Sequence, residues 1–573
     1  MRRSVEAAVC MCLQSREFLD IGHRPPVSAC NTQFSIDRWM RTPFNKSITR
    51  YVRVGITDTS PNDQKLERAR RLDHSTCAKA IMDVVGKVAC AGLGIVLCAL
   101  YQSPALTQSA TQPAVAVAAH TLQAPTDLAF IQTPEYKVGD PARRFPLGSR
   151  LVRLRFGAEG TAPSVVTPLT PQFFAAADPQ VSFDGRQLLF AAQTQRDTTW
   201  QIWEIPAEGG SPRQVTHCVG DCVQPAYLPE GEIAYTSLRG ADPARTSEVQ
   251  VCRNDGSDAH PITFGPGRYE VEAVLRSGRL LLSAESPLGD GRGPESLRTL
   301  YLVDPDGAGL MLLRQDGIAH AIRSGAVELA DGTILFMQWD GSGVSDVRPA
   351  WIRPGTLNGT AMEHAHSGYA SANALADGTL LVSRRAPGHR FDLYQLCLNS
   401  SGHEQLLYRD ARAASVQAVP IVSHPAALAY RSILHPDRKS GRIVCLDAYA
   451  SKDFADGHLP GQIVRVRALL KTKIGEKILG EAPVERDGSF YATVPADLPI
   501  RLQLIGAHGE ILKQQRSWMW VRTGEDRGCV GCHESQAQAP ENRSPMTLQR
   551  LDTPTLLTGE TAPNPVARNG ARP

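Results

Sequence analysis

Apolar positions recur in a fixed phrase through the middle of the chain. An apolar pair or triplet meets a tight turn, and a second β-rich run follows. The first copy reads Val181-Ser182-Phe183-Asp184-Gly185-Arg186-Gln187-Leu188-Leu189-Phe190, and the second Ala226-Tyr227-Leu228-Pro229-Glu230-Gly231-Glu232-Ile233-Ala234-Tyr235. Later copies centre on Ser277-Gly278, Asp331-Gly332 and Asp377-Gly378. The turn glycines at 185, 231, 278, 332 and 378 are spaced by 46, 47, 54 and 46 residues. A second turn follows each by 24 to 29 residues, at Gly209-Gly210, Asp255-Gly256, Asp306-Gly307, Asn358-Gly359 and Ser401-Gly402. Two hairpin turns per repeat predict four strands per repeat. Four-stranded units at this period describe propeller blades.

A sixth, degenerate copy is expected from Val419-Pro420-Ile421-Val422, Ala427-Leu428-Ala429-Tyr430 and Arg442-Ile443-Val444-Cys445-Leu446. A strand near Leu151–Phe156 is expected to complete the last blade. Beyond about residue 456 the pattern changes. Alternation at Ile463-Val464-Arg465-Val466-Arg467-Ala468-Leu469 suits a half-buried strand. Further strands are read at 478–480, 489–494 and 500–505, with turns at Asp487-Gly488 and His508-Gly509. The expected fold class is therefore all-β: a six-bladed, alternatively seven-bladed, β-propeller of TolB/WD40-like repeats, then a small antiparallel β-domain. Trp518 and Trp520 in that domain suit either a cofactor face or ordinary core packing.

The chain start reads differently. Residues Val88–Tyr101 form an apolar run too short for a comfortable membrane span. Arg68, Arg70, Arg71, Lys79 and Lys87 precede it and small residues follow, the grammar of a signal peptide. We expect 1–81 to be an extension or mis-assigned start, 82–110 the signal-peptide-like segment and 111–149 a linker. The propeller is expected at 150–455, the β-domain at 456–550 and a disordered tail at 551–573. The rival reading of the apolar segment is an uncleaved anchor, the one route by which a membrane would be a partner.

Composition sharpens this picture in two places. A formal charge of +3 with no long basic run argues against nucleic acid as partner. The 48 glycines and 40 prolines supply the turns that an all-β chain needs. Of the 13 cysteines, Cys218, Cys222, Cys252, Cys397 and Cys445 lie in the body of the protein, an odd set that leaves at least one thiol unbridged. Cys218 and Cys222 suit either a local disulfide across a turn or two separate buried thiols.

The strongest chemical signal is Cys529-Val530-Gly531-Cys532-His533. C-x-x-C-H is the spacing of covalent c-type haem attachment. Two thiols two residues apart reach both vinyl groups of one porphyrin, and the adjacent imidazole supplies an axial ligand. The residue frequencies give about 0.01 such matches by chance. A zinc site would need a second ligand pair nearby. A thioredoxin-like pair expects a βαβ context. A plain disulfide leaves His533 unexplained. The expected cofactor is one covalent haem c on Cys529 and Cys532, with His533 as proximal iron ligand. Met546 is the nearest candidate for the distal position; His508 and Met519 are the others in the module. His364 and His366 form the one close His pair in the repeats, read as a solvated loop ahead of a metal site.

Several flanking residues carry a family resemblance. Asp487-Gly488-Ser489, Val494-Pro495-Ala496, Arg516-Ser517-Trp518, Gly524-Glu525, Cys529 to Glu534, and Ala539-Pro540-Glu541-Asn542-Arg543 follow one another in the order of the hydrazine synthase alpha subunit family, which this chain resembles over roughly residues 150–550. The resemblance implies a propeller beside a β-domain holding one c-haem. Two departures limit it. The chain has no second C-x-x-C-H, and the position four residues past the His, where the resemblance implies an iron-binding Tyr, is Ala537.

Three functions fit. An exported monohaem cytochrome passing electrons to redox partner proteins in the periplasm is favoured. A haem enzyme acting on a small nitrogenous molecule is the alternative that Ala537 leaves open. The third is a protein-binding propeller with an accessory haem.

Overall fold

Most neighbouring strands in this chain pair as antiparallel hairpins. The computed structural model describes residues 127–559 apart from 137–144, 158–163, 240–245, 288–295, 314–321, 340–345, 354–361, 364–365, 399–402, 451–460, 532–542 and 558. The N-terminal extension, the 88–101 segment, the turns at 358–359 and 401–402, His364, Cys532, His533, Ala537 and the end of the tail lie outside these residues. No helix among the described residues is long and apolar enough to cross a membrane.

Ala175–Val181, Gln187–Gln193, Gln201–Pro206 and Arg213–Gln214 form the first four-stranded antiparallel unit, in sequence order. The same order repeats from Asp221–Leu228 to His260–Pro261, from Arg268–Val274 to Met311–Leu312, from Ile322–Glu328 to Met362–Glu363, and from Tyr369–Ala374 to Glu404–Tyr408. Glycines 185, 231, 278, 332 and 378 turn the first hairpin of each unit at φ of 75° to 86°, a region that favours glycine. The sixth unit is composite. Ala414–Pro420 pairs with Asp127–Thr133, which continues into Arg150–Arg155 and Val165–Pro168. The first strands of the six units neighbour one another in a closed cycle.

Three expected boundaries move. The 111–149 linker contains a ring strand, because Leu128, Ala129, Phe130 and Ile131 are all fully buried. A strand buried on both faces shows no alternation, so its composition hid it. The expected sixth copy is replaced by those N-terminal strands. Residues 421–439 instead form a strap across the hairpin turns, with the Ile421, His424 and Leu428 amides donating to the Asp127, Phe183 and Arg276 carbonyls at 3.0, 2.9 and 2.9 Å. Ser440–Asp447, which holds the expected last blade strand, belongs to the C-terminal module. That module therefore begins near 440 and not at 456. It also reaches into the expected tail, where Thr555–Leu556 pairs with Phe490–Pro495 and Leu557 is buried.

The module has two sheets. One is antiparallel, in the order Gly475–Pro483, Ile463–Thr472, Ile500–Gly506, Ile511–Gln514. The other runs Asp526–Gly531, Ser440–Asp447, Phe490–Pro495, Thr555–Leu556, and both of its outer pairings are parallel. The expected antiparallel domain is thus half mixed. Its outer strands arrive after long excursions and not through hairpins, so they are free to run parallel.

One packed core joins module and ring. Trp520 is fully buried, edge-on to Tyr269 and Phe264 at 5.4 and 6.1 Å between ring centroids, and its indole N–H donates to the Gly307 carbonyl at 2.8 Å. Arg522 lies 4.6 Å over Phe264 and donates to the Asp306 carbonyl. The Glu525 carboxylate accepts the Gly309 amide at 3.1 Å and the Arg522 amide at 2.7 Å. Replacing Trp520 with Ala is expected to cost about 3–5 kcal/mol. Trp520→Phe loses the indole hydrogen bond and some contact, for about 1–2 kcal/mol. Urea unfolding followed by circular dichroism reads both. An unchanged midpoint for Trp520→Ala would mean that this joint does not hold the two parts together.

Candidate functional site

Cys529 sits on Asp526–Gly531, at the edge of the mixed sheet, in parallel register with Ser440–Asp447. It is half-buried and packs against the shared core. Gly528 is exposed, and a Cβ built on it would meet nothing within 4 Å, so this edge has open space beside the thiol-bearing residue. Gly531 is the opposite case. A Cβ there would lie 2.0 Å from the Ala450 carbonyl oxygen, so the residue before Cys532 has to be glycine in this backbone. The strand ends at Gly531, and Cys532 and His533 follow outside the described residues.

Met546 returns to the same end of this sheet. Its amide donates to the Asp487 carboxylate at 2.8 Å, and the Thr547 amide donates to the Ser489 hydroxyl at 3.0 Å. Asp487-Gly488-Ser489 is the turn entering Phe490–Pro495, and the Gly488 carbonyl accepts the Ala448 amide at 2.8 Å. Asp447 and Gly531 are register partners, which ties that turn to the end of the Cys529 strand. Arg543 reaches the Asp447 carboxylate at 3.4 Å and the Asp487 carbonyl at 3.1 Å. Met546 is 40% exposed.

The other candidates are held elsewhere. Met519 is buried in the core, and its backbone exchanges both hydrogen bonds with Ile500. His508 is exposed in a hairpin turn of the other sheet. Trp518 is buried with the Arg501 guanidinium 4.8 Å from its ring centre, and Trp520 fills the joint, so both are packing residues. His366 is exposed, and among the described residues no three His, Cys, Asp or Glu side chains are grouped to hold a metal. Cys218 and Cys222 are joined in a disulfide, whereas Cys252 is a buried thiol that burial pushes up to about 12.

The sequence reading missed a set of polar residues at the ring centre. Each first strand is bulged, and Asp178, Gln224 and Gln417 sit in the bulges at φ of 53°, 51° and 53°. Gln417 accepts the Asp178 amide and donates to its carboxylate at 2.9 and 2.6 Å. Asp178 accepts the Gln224 amide at 3.1 Å, Glu272 the Ala326 amide at 3.1 Å, and Ser371 the Gln417 amide at 2.9 Å. These residues line a channel of about 780 Å³. A signal was present: positions 178, 224, 272, 325 and 371 precede the turn glycines by six or seven residues.

Residues 439–534 match the family described as the hydrazine synthase alpha subunit middle domain. Over this module the chain is similar to the hydrazine synthase alpha subunit. Hydrazine synthase subunit alpha of Kuenenia stuttgartiensis is 32% identical over 112 residues, 19% of this chain and 13% of that protein. The sequence match thus spans about an eighth of the curated relative's length. The solved Kuenenia stuttgartiensis hydrazine synthase aligns with a TM-score of 0.66 and 19% identity, over 74% of this chain and 72% of that one, a likeness of fold. The family match begins at 439, where the module begins in the structure and well before the expected 456.

The motif residues shared with the hydrazine synthase alpha-like family have physical tasks here. Gly524-Glu525 clamps the ring joint, and Asp487-Gly488-Ser489 holds the Met546 turn. Burial raises the Asp487 pKa, but donors from Ser489 and Met546 and the nearby Arg543 outweigh it and hold the carboxyl below the usual value. A carboxylate lowered on folding stabilises above its unfolded pKa, and that contribution is lost as pH falls through the folded value. Asp487→Ala is expected to raise amide exchange at Met546 and Thr547 several-fold at neutral pH. The difference from wild type should vanish below the usual carboxylate range. Equal protection in both proteins at neutral pH would show that Asp487 does not anchor the turn.

Proposed function

We propose that this chain is an exported monohaem c-type cytochrome that passes electrons between redox partner proteins in the periplasm. The observation that carries the reading is the Cys529-Val530-Gly531-Cys532-His533 run, set at the edge of a hydrazine synthase alpha-type module. Cys529 and Cys532 would hold the porphyrin through thioethers, and His533 would be the proximal iron ligand. The residues suit the group: a half-buried thiol, an unobstructed glycine beside it, and a second glycine that lets the chain pass close under Ala450. A bound haem would supply a one-electron couple, and a thioether as second iron ligand would raise its potential. Met546 is the residue we assign to that position, because Asp487 and Ser489 fix its backbone at the sheet end where the Cys529 strand finishes.

The six-unit ring is read as a six-bladed propeller that docks redox partners, with the module fixed to it through Trp520 and Glu525. The 82–110 segment is read as the export signal, which agrees with a haem attached outside the cytoplasm. Optical and EPR spectra of the haem-loaded protein test the assignment. A six-coordinate low-spin iron inert to carbon monoxide and nitric oxide is expected, and Met546→Ala should open it to both gases. A wild-type iron that is five-coordinate, high-spin and gas-binding would favour the enzyme reading that Ala537 leaves open, with a small nitrogenous substrate.

A further inference from the structure

Cys445 and Cys529 are register partners on adjacent parallel strands. Side chains of register partners point to the same face of a sheet, and neighbouring strands lie about 4.8 Å apart. That spacing falls inside the Cα separation that a disulfide spans, roughly 4.4–6.8 Å. Both residues are thiols in the structure and both belong to the packing of the shared core. Their exposures differ: Cys445 is 1% exposed and Cys529 is half-buried. Of the remaining thiols among the described residues, Cys252 lies in another sheet and Cys397 just past the end of Phe391–Leu396.

We propose that Cys445 and Cys529 form a disulfide in the haem-free protein, which withholds Cys529 from cofactor attachment until it is reduced. The second half of this statement rests on the haem reading above; the first half does not. The difference in exposure sets the order of steps. A small disulfide such as oxidised glutathione reaches Cys529 first. The Cys529 thiolate attacks one of its sulfurs, forming a mixed disulfide and releasing one glutathione thiolate. The Cys445 thiolate then attacks the Cys529 sulfur and releases the second. In total two protein thiols lose two protons and two electrons, and one glutathione disulfide becomes two thiols. A reducing thiol reverses both steps and returns Cys529 for thioether formation.

Cys532 offers the competing partner, so the test removes it. The full-length, haem-free Cys532→Ser variant is treated with oxidised glutathione, alkylated with iodoacetamide and mapped as peptides without reduction. Alkylation of Cys529 should fall at least tenfold, with a linked pair of peptides carrying Cys445 and Cys529. In the Cys445→Ala/Cys532→Ser protein no such link should form. In the wild type, the same map should show Cys445 joined to Cys529 while Cys532 stays open to alkylation. A Cys529–Cys532 link in the wild type, or a Cys529 that stays reactive in Cys532→Ser, would overturn the proposal. The haem reading is separated by a second arm. Reduced wild-type protein is offered haem with a c-type maturation system, and oxidised protein should attach at most one-tenth as much. Equal attachment in both states would overturn the withholding role. Absence of haem in both states would sink the haem reading and leave the disulfide result standing.

Discussion

The burial of Trp520 against the third ring unit is the contact on which the rest of the arrangement depends. A large indole with one N–H has to find one acceptor when buried, and the Gly307 carbonyl supplies it. Gly307 can offer that carbonyl because it turns the Asp306-Gly307 hairpin at φ 85°, where a Cβ would strike the Ile262 carbonyl oxygen at 2.3 Å. Arg522 and Glu525 complete the clasp through the same turn. The strand carrying Cys529 begins one residue after Glu525, so the clasp fixes where it starts. The position of Cys529 is therefore set from the ring side as much as from the module.

The ring has its own constraint. A cycle of sheets has to be closed by something, and here both ends of the repeat region share one sheet. Ala414–Pro420 closes against Asp127–Thr133. Inside, the bulges turn polar side chains toward the neighbouring unit, where they accept backbone amides that the bulges leave without ladder partners. Asp178 and Gln417 bridge the seam in both directions. The strap of 421–439 then leaves the ring and carries the chain to the module across the turns of the first and third units.

The turn glycines and the length of the repeat were readable in the sequence because they depend on local geometry. Gly185, Gly231, Gly278, Gly332 and Gly378 all take the left-handed conformation that their spacing announced. The composite sixth unit was not readable, since its strands come from opposite ends of the repeat region and pairing between distant segments leaves no local mark. Leu128–Ile131 was passed over because complete burial erases alternation. For the candidate site, the C-x-x-C-H run is a feature of the sequence itself, whereas the pairing of Cys445 with Cys529 required the sheet register. The bulge residues of the first five units precede the turn glycines by six or seven residues, a signal present in the chain but visible only once the turns are taken as the origin.

The central claim is that one haem is bound covalently at Cys529 and Cys532. Intact mass spectrometry of the exported protein, produced with a c-type maturation system, tests it most directly. A mass increase of one haem that survives acid denaturation, and that maps to the peptide containing both cysteines, is the predicted result. An unmodified mass, or a haem lost on denaturation, would contradict the account.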